Sequence, residues 1–124
     1  MTEEQKDLLW KDLCSRLPYG VKCEVIKWDI DGEMLYIRNG SGALELTINN
    51  VKELATNNMY EIKPYLFPIS SMTEEQKVEY YETFSLSGDI SGSIDFYNKY
   101  HFDWRGLIPM GLANDATGLN IYIY

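Results

Sequence analysis

A chain of 124 residues, 45 % hydrophobic and 14 % aromatic, has material for one core and no room for two, so residues 1–124 are expected to form a single globular domain. Its 19 acidic and 11 basic residues give a formal charge of −8, and the bases are scattered, which argues against direct binding to nucleic-acid phosphates. No apolar run approaches the roughly 18 residues of a membrane span, the start MTEEQKDLLW lacks a signal-peptide core, and Cys14 and Cys23 are too few for a disulfide scaffold or a four-sulfur zinc site. These features predict a cytoplasmic protein with no membrane partner and no metal or other cofactor.

The first element is a helix from about Thr2 to Leu17. Thr2 and Gln5 form an S/T-x-x-E/Q capping box, Glu3 and Glu4 suit the positive helix start, and Pro18 and Gly20 stop it. Leu9, Leu13 and Leu17, joined by Trp10 and Cys14, make an apolar stripe, which places Cys14 in the core. Strands are expected at Lys22–Trp28 and Glu33–Arg38 around an Asp-Gly hairpin turn, then at Ala43–Ile48, where Leu44, Leu46 and Ile48 alternate with Glu45 and Thr47. Together they read as an antiparallel meander. A helical turn is expected near Val51–Leu54, and a fourth strand at Tyr60–Tyr65, with Pro64 confining its end to an edge or exit.

MTEEQK occurs twice, at Met1 and at Met72, and the match does not continue downstream. Shared helix-start chemistry explains it better than duplication, because Thr73 and Gln76 repeat the capping box. A second helix follows from about Glu74 to Phe84, with Val78, Tyr81 and Phe84 inward. Ser85–Ser93 reads as a loop, Ser93 as the cap of a short helix through about Tyr100, and Leu119–Tyr124 as a closing strand. The fold class is therefore α+β: an antiparallel sheet of four to five strands, built on a central meander, with about three helices packed on one side.

His101, Asp103 and Arg105 lie within five residues and suggest a small hydrolase, with a carboxylate orienting the imidazole and an arginine binding an anion. No nucleophile accompanies them. The competing reading has Asp103 capping the next turn, Arg105 pairing with a carboxylate, and His101 capping a helix C-terminus. Asp29–Glu33 has a faint calcium-loop pattern but breaks into strand, and Ser70 and Ser71 lack a G-x-S-x-G setting. No catalytic residue is assigned, and the chain reads as non-enzymatic.

The aromatic excess points elsewhere. Tyr, Trp and Arg are the residue types that dominate protein–protein interfaces, and they concentrate between Ile94 and Ala113. The expected binding surface comprises Tyr97, Tyr100, His101, Phe102, Trp104 and Arg105, with a protein as its partner; homo-oligomerisation stays open. The charge of −8 supports a different expectation, an acidic mimic that occupies a DNA- or RNA-binding protein.

Three strings, DLCSRLPYGV (12–21), KPYLFPISSMTEEQK (63–77) and DFYNKYHFDWRGLIPMGLA (95–113), cover about a third of the chain and resemble a family of short hypothetical proteins from phages, prophages and mobile elements of gut anaerobes. The resemblance implies a phage or mobile-element accessory protein acting inside its host cell, with a host or phage protein as partner. It implies no reaction and no site residues.

Overall fold

The structure is a computed structural model that describes residues 1–87 and 90–122. Helix α1 (Glu3–Ser15) starts where the capping box requires: Gln5 N donates to Thr2 Oγ1 at 3.1 Å, and Thr2 N donates to Gln5 Oε1 at 3.0 Å. The same exchange opens helix α3 (Glu74–Ser87), at 3.1 and 2.9 Å between Thr73 and Gln76. Equal local chemistry thus produced equal local structure in two unrelated parts of the chain.

Strands β1 (Lys22–Trp28) and β2 (Met34–Arg38) form the expected hairpin. Asp29 Oδ1 accepts the backbone N–H groups of Asp31 and Glu33, both at 2.9 Å, and Gly32 supplies the positive φ (83°) that closes the turn. Beyond this hairpin the sheet departs from a meander. Strand β3 (Leu44–Glu45) pairs with Lys22 and Cys23, on the side of β1 that β2 also uses. Strand β4 (Tyr60–Leu66) takes the other side, antiparallel from Cys23↔Pro64 to Lys27↔Tyr60. Strand β5 (Asn114–Asp115) then adds in parallel to Tyr65 and Leu66. Among the described residues the five-stranded sheet is therefore mixed, in the order β2-β1-β4-β5 with β3 on β1 off this path, and four α-helices accompany it. Pro64, expected at an edge, sits where the β1 pairing ends and just before the β5 pairing begins, so its missing N–H interrupts neither ladder.

The strand expected over Ala43–Ile48 stops at Glu45. Asn50 Oδ1 accepts the Thr47 N–H at 2.8 Å and opens helix α2 (Ile48–Thr56), which buries Leu54 and leaves Ile48 exposed. Helices α1 and α2 supply Leu9, Leu13 and Leu54 to a core with Val21, Cys23, Val25, Leu46, Ile62 and Leu66. Each such side chain contributes roughly 1.5–3 kcal/mol through burial. On the opposite sheet face, Tyr65 packs with Ala116, Ile121, Phe67 and Tyr122.

Helix α3 packs on helix α4 (Ile90–Lys99) through aromatic side chains. Tyr80 stacks on Tyr97 at 5.6 Å and meets Phe96 edge-on at 5.5 Å. The inward residues of α3 therefore differ from the expectation: Val78 and Tyr81 are exposed, and the helix packs on α4. Residues 85–87 and 90–93 are helical where a loop was expected, and Ser93 lies buried inside α4, 3.5 Å from the Tyr80 hydroxyl, instead of capping it. Gly88 and Asp89 fall outside the described residues. Residues 119–122 of the expected closing strand are not in strand conformation, and Ile123 and Tyr124 fall outside the described residues. No helix among the described residues is long and apolar enough to cross a membrane.

Candidate functional site

The stretch from Tyr97 to Ile108 meets α1 around two charged side chains that face inward. On α1 the inward positions are Leu9, Asp12, Leu13 and Arg16, one residue round from the stripe expected, so Cys14 is exposed and not in the core. Asp12 and Arg16 are both fully enclosed. Arg16 Nε donates to Asp12 Oδ2 at 2.9 Å and Nη2 to Oδ1 at 3.1 Å, a bidentate pair one helical turn apart. The remaining donors of Arg16 reach across the molecule, Nη2 to Phe102 O at 2.6 Å and Nη1 to Tyr97 O at 3.4 Å. A charge taken out of water needs such saturation, and here both partners have it.

Both carbonyls also accept a backbone N–H, Phe102 O from Trp104 N at 3.1 Å and Tyr97 O through the Schellman motif that ends α4. Phe102 N donates to Tyr97 O at 2.8 Å and His101 N to Asn98 O at 3.2 Å, with His101 in the left-handed region at φ 58°. Glycine usually occupies that position. His101 holds it with two contacts that glycine lacks: its Nε2 lies 3.1 Å from Tyr19 O, and its ring stacks on Tyr122 at 4.1 Å. Nε2–H donates to that carbonyl, and Nδ1 is buried without a hydrogen-bond partner among the described residues. Burial, and secondarily the Arg16 charge, pushes the imidazole pKa down to about 3.

Phe67, from the second of the three strings, completes the knot. Its N–H donates to His101 O and its carbonyl accepts from Asp103 N, both at 2.8 Å. Asp103 then accepts from Leu107 N at 2.8 Å and Ile108 N at 2.9 Å, capping the turn that follows. The three distinctive strings thus converge on one place.

At the border of this knot lie Trp104 and Arg105. Arg105 Nη1 donates to Asp12 Oδ1 at 2.8 Å and lies 3.4 Å from Ser15 Oγ. Its guanidinium sits 4.0 Å over the Trp104 ring, whose Nε1 donates to Asn98 Oδ1 at 3.0 Å. Two arginines therefore share one carboxylate. Among the described residues, Arg105 Nε and Nη2 have no partner, and they form the edge that carboxylate and phosphate oxygens fit bidentately.

The six residues expected to form a binding surface separate accordingly. His101 and Phe102 are each only 1 % exposed and cannot belong to a surface, because the Schellman turn and the Tyr122 stack enclose them. Tyr97 and Tyr100 are half-buried, and their hydroxyls engage α3. Burial and the bond to Tyr80 push Tyr97 up to about 12, and the bond to Glu79 raises Tyr100. Trp104 and Arg105 remain, half-buried and held from beneath. The hydrolase pair does not assemble either, since His101 is enclosed and both carboxylate oxygens of Asp103 are committed to backbone amides. Among the described residues, no group of three or more His, Cys, Asp or Glu side chains is placed to hold a metal ion.

Sequence reasoning missed Asp12, Arg16, Ser15 and Asn98. A signal existed for the first two: an acid and a base four residues apart, at the positions that share a helix face with Leu9 and Leu13. Comparison of the chain with protein-family models, with curated proteins and with solved structures found no match.

Proposed function

We propose that this chain is a non-enzymatic accessory protein of a phage or mobile element that binds another protein through the Trp104–Arg105 surface. The observation that carries the reading is the fixed guanidinium of Arg105, with Nη1 tied to Asp12, one face on Trp104 and the Nε–Nη2 edge unpaired among the described residues. A preorganised arginine beside a tryptophan combines two residue types that dominate interface energetics, and little side-chain entropy remains to be lost on binding. The chemistry matched to that edge is a carboxylate on the partner. The resemblance of the three strings to proteins of phages and mobile elements supports a host or phage protein of a gut anaerobe as the partner.

The test compares capture from host lysate by wild type, Arg105→Lys and Trp104→Phe. Arg105→Lys keeps the charge beside Asp12 but removes the fork, and Trp104→Phe keeps an aromatic ring but loses the Asn98 bond. The reading expects both to retain the fold and to lose the partner by tenfold or more, about 1.4 kcal/mol. Undiminished capture by both variants overturns it.

A further inference from the structure

The edge of the sheet opposite the knot is unusual in its composition. Strand β2 is the terminal strand of the sheet, and all five of its residues, Met34 to Arg38, are exposed on both faces. Met34, Leu35, Tyr36 and Ile37 are between 41 % and 56 % exposed, and Ile30 in the adjoining turn is 86 % exposed. On the sheet face away from α1 and α2, Ile37 lies beside Ile26, and Met34 beside Trp28, extending the apolar strip onto β1. Edge strands of soluble proteins are ordinarily blunted by lysine, proline or a covering loop. This one has no lysine or proline, its single register irregularity falls at Leu35, which has no partner on β1, and no other strand pairs with its outer side among the described residues.

We infer that β2 pairs antiparallel with β2 of a second copy of the chain, joining two sheets across a twofold axis. Three observations favour a second copy over a foreign peptide. The strip is self-complementary: with the axis at Tyr36, Leu35 of each copy lies opposite Ile37 of the other, apolar against apolar. The charges are polarised along the strand, with Asp29, Asp31 and Glu33 before it and Arg38 at its end. Antiparallel pairing sets the acidic end of each copy beside Arg38 of the other, and Arg38 has no carboxylate partner among the described residues. A peptide-binding edge also needs pockets for alternate side chains. One cavity that touches β2, about 160 Å³ and lined by Tyr36, Arg38, Asn50, Glu53 and Tyr60 among others, belongs to the face covered by α2. A strip of five residues is at the small end of specific interfaces, so the dimer is expected to dissociate in the micromolar range.

Sedimentation equilibrium of the full chain over a wide concentration range tests this. The expected result is a reversible species of twice the 14.4 kDa chain mass, weakened tenfold or more by Leu35→Lys. Leu35 is exposed, so this substitution leaves the fold intact. A second variant reads the register directly: Tyr36→Cys, in a Cys14→Ser background that removes the other exposed thiol, oxidises to a linked dimer. Residues opposed in an antiparallel pair lie about 4.5–5.5 Å apart at Cα, within disulfide reach. A monomer at every concentration overturns the inference. So does a dimer that ignores Leu35→Lys and fails to crosslink through position 36. Neither result touches the Trp104–Arg105 reading, whose variants leave β2 unchanged.

Discussion

Removing the carboxylate of Asp12 is the sharpest test of how the knot is held. Asp12 accepts three hydrogen bonds, two from Arg16 and one from Arg105, and has no exposure to solvent. In Asp12→Ala, Arg16 stays enclosed with only the carbonyls of Tyr97 and Phe102 as acceptors. An uncompensated buried charge of this kind costs about 3–5 kcal/mol. A domain of this size has about 5–15 kcal/mol in total, so the loss is a large fraction of its stability. With a urea slope of about 1.5 kcal/mol/M, the midpoint falls by about 2–3 M. The double variant Asp12→Leu/Arg16→Met removes the stranded charge, and the carbonyls of Tyr97 and Phe102 keep their backbone donors, Phe102 N and Trp104 N, so it costs about 1–3 kcal/mol in all. The expected midpoints therefore rank wild type first, the double variant second and Asp12→Ala last. A shift below about 0.5 M for Asp12→Ala, or a double variant less stable than it, refutes the buried-charge account.

Other outcomes follow from the same contacts. His101 is held far below its ordinary pKa, so the unfolded chain binds a proton that the folded chain refuses as pH falls below about 6.5. Stability from this residue is complete above that value and declines toward pH 3, with a slope approaching about 1.4 kcal/mol per pH unit. Urea midpoints measured between pH 6.5 and 5, above most carboxylate titration, should fall in wild type and stay flat in His101→Gln; equal slopes refute the assignment. Burial pushes the Cys23 thiol up while Cys14 is exposed, so a thiol reagent should label one cysteine in the folded protein and two in denaturant. Two labels without denaturant contradict the packing of β1. Thr73→Ala should cost about 1 kcal/mol by removing the cap of α3, measured as a midpoint shift.

What the sequence disclosed was governed by chemistry between near neighbours. The capping boxes at Thr2 and Thr73, the Asp29–Gly32 turn and the bounds of β1 all rest on contacts within a few residues, and each appears as expected. The capping role of Asp103 and the carboxylate partner of Arg105 were also legible, the latter without its identity. Non-local contacts decided the rest. Arg16 faces inward because its acceptors, Tyr97 O and Phe102 O, lie more than eighty residues away, and nothing local in α1 announces them. The alternation Leu44–Leu46–Ile48 reads as a strand, yet the Thr47–Asn50 contact turns the chain into α2. Strand β5 is two polar residues long and carries no periodic signal, so its parallel pairing, which makes the sheet mixed, left no trace in the pattern. The candidate surface shrank for a related reason: a cluster of aromatics on one stretch does not tell which rings the fold encloses.

The central claim is that the knot holds Trp104 and Arg105 rigid so that they can engage a partner. It is tested most directly by capturing proteins from host lysate with wild type, Arg105→Lys and Leu35→Lys, each first confirmed by its urea midpoint to be folded. The account predicts one protein retained by wild type and by Leu35→Lys and lost from Arg105→Lys. Retention by all three, or loss only from Leu35→Lys, contradicts it.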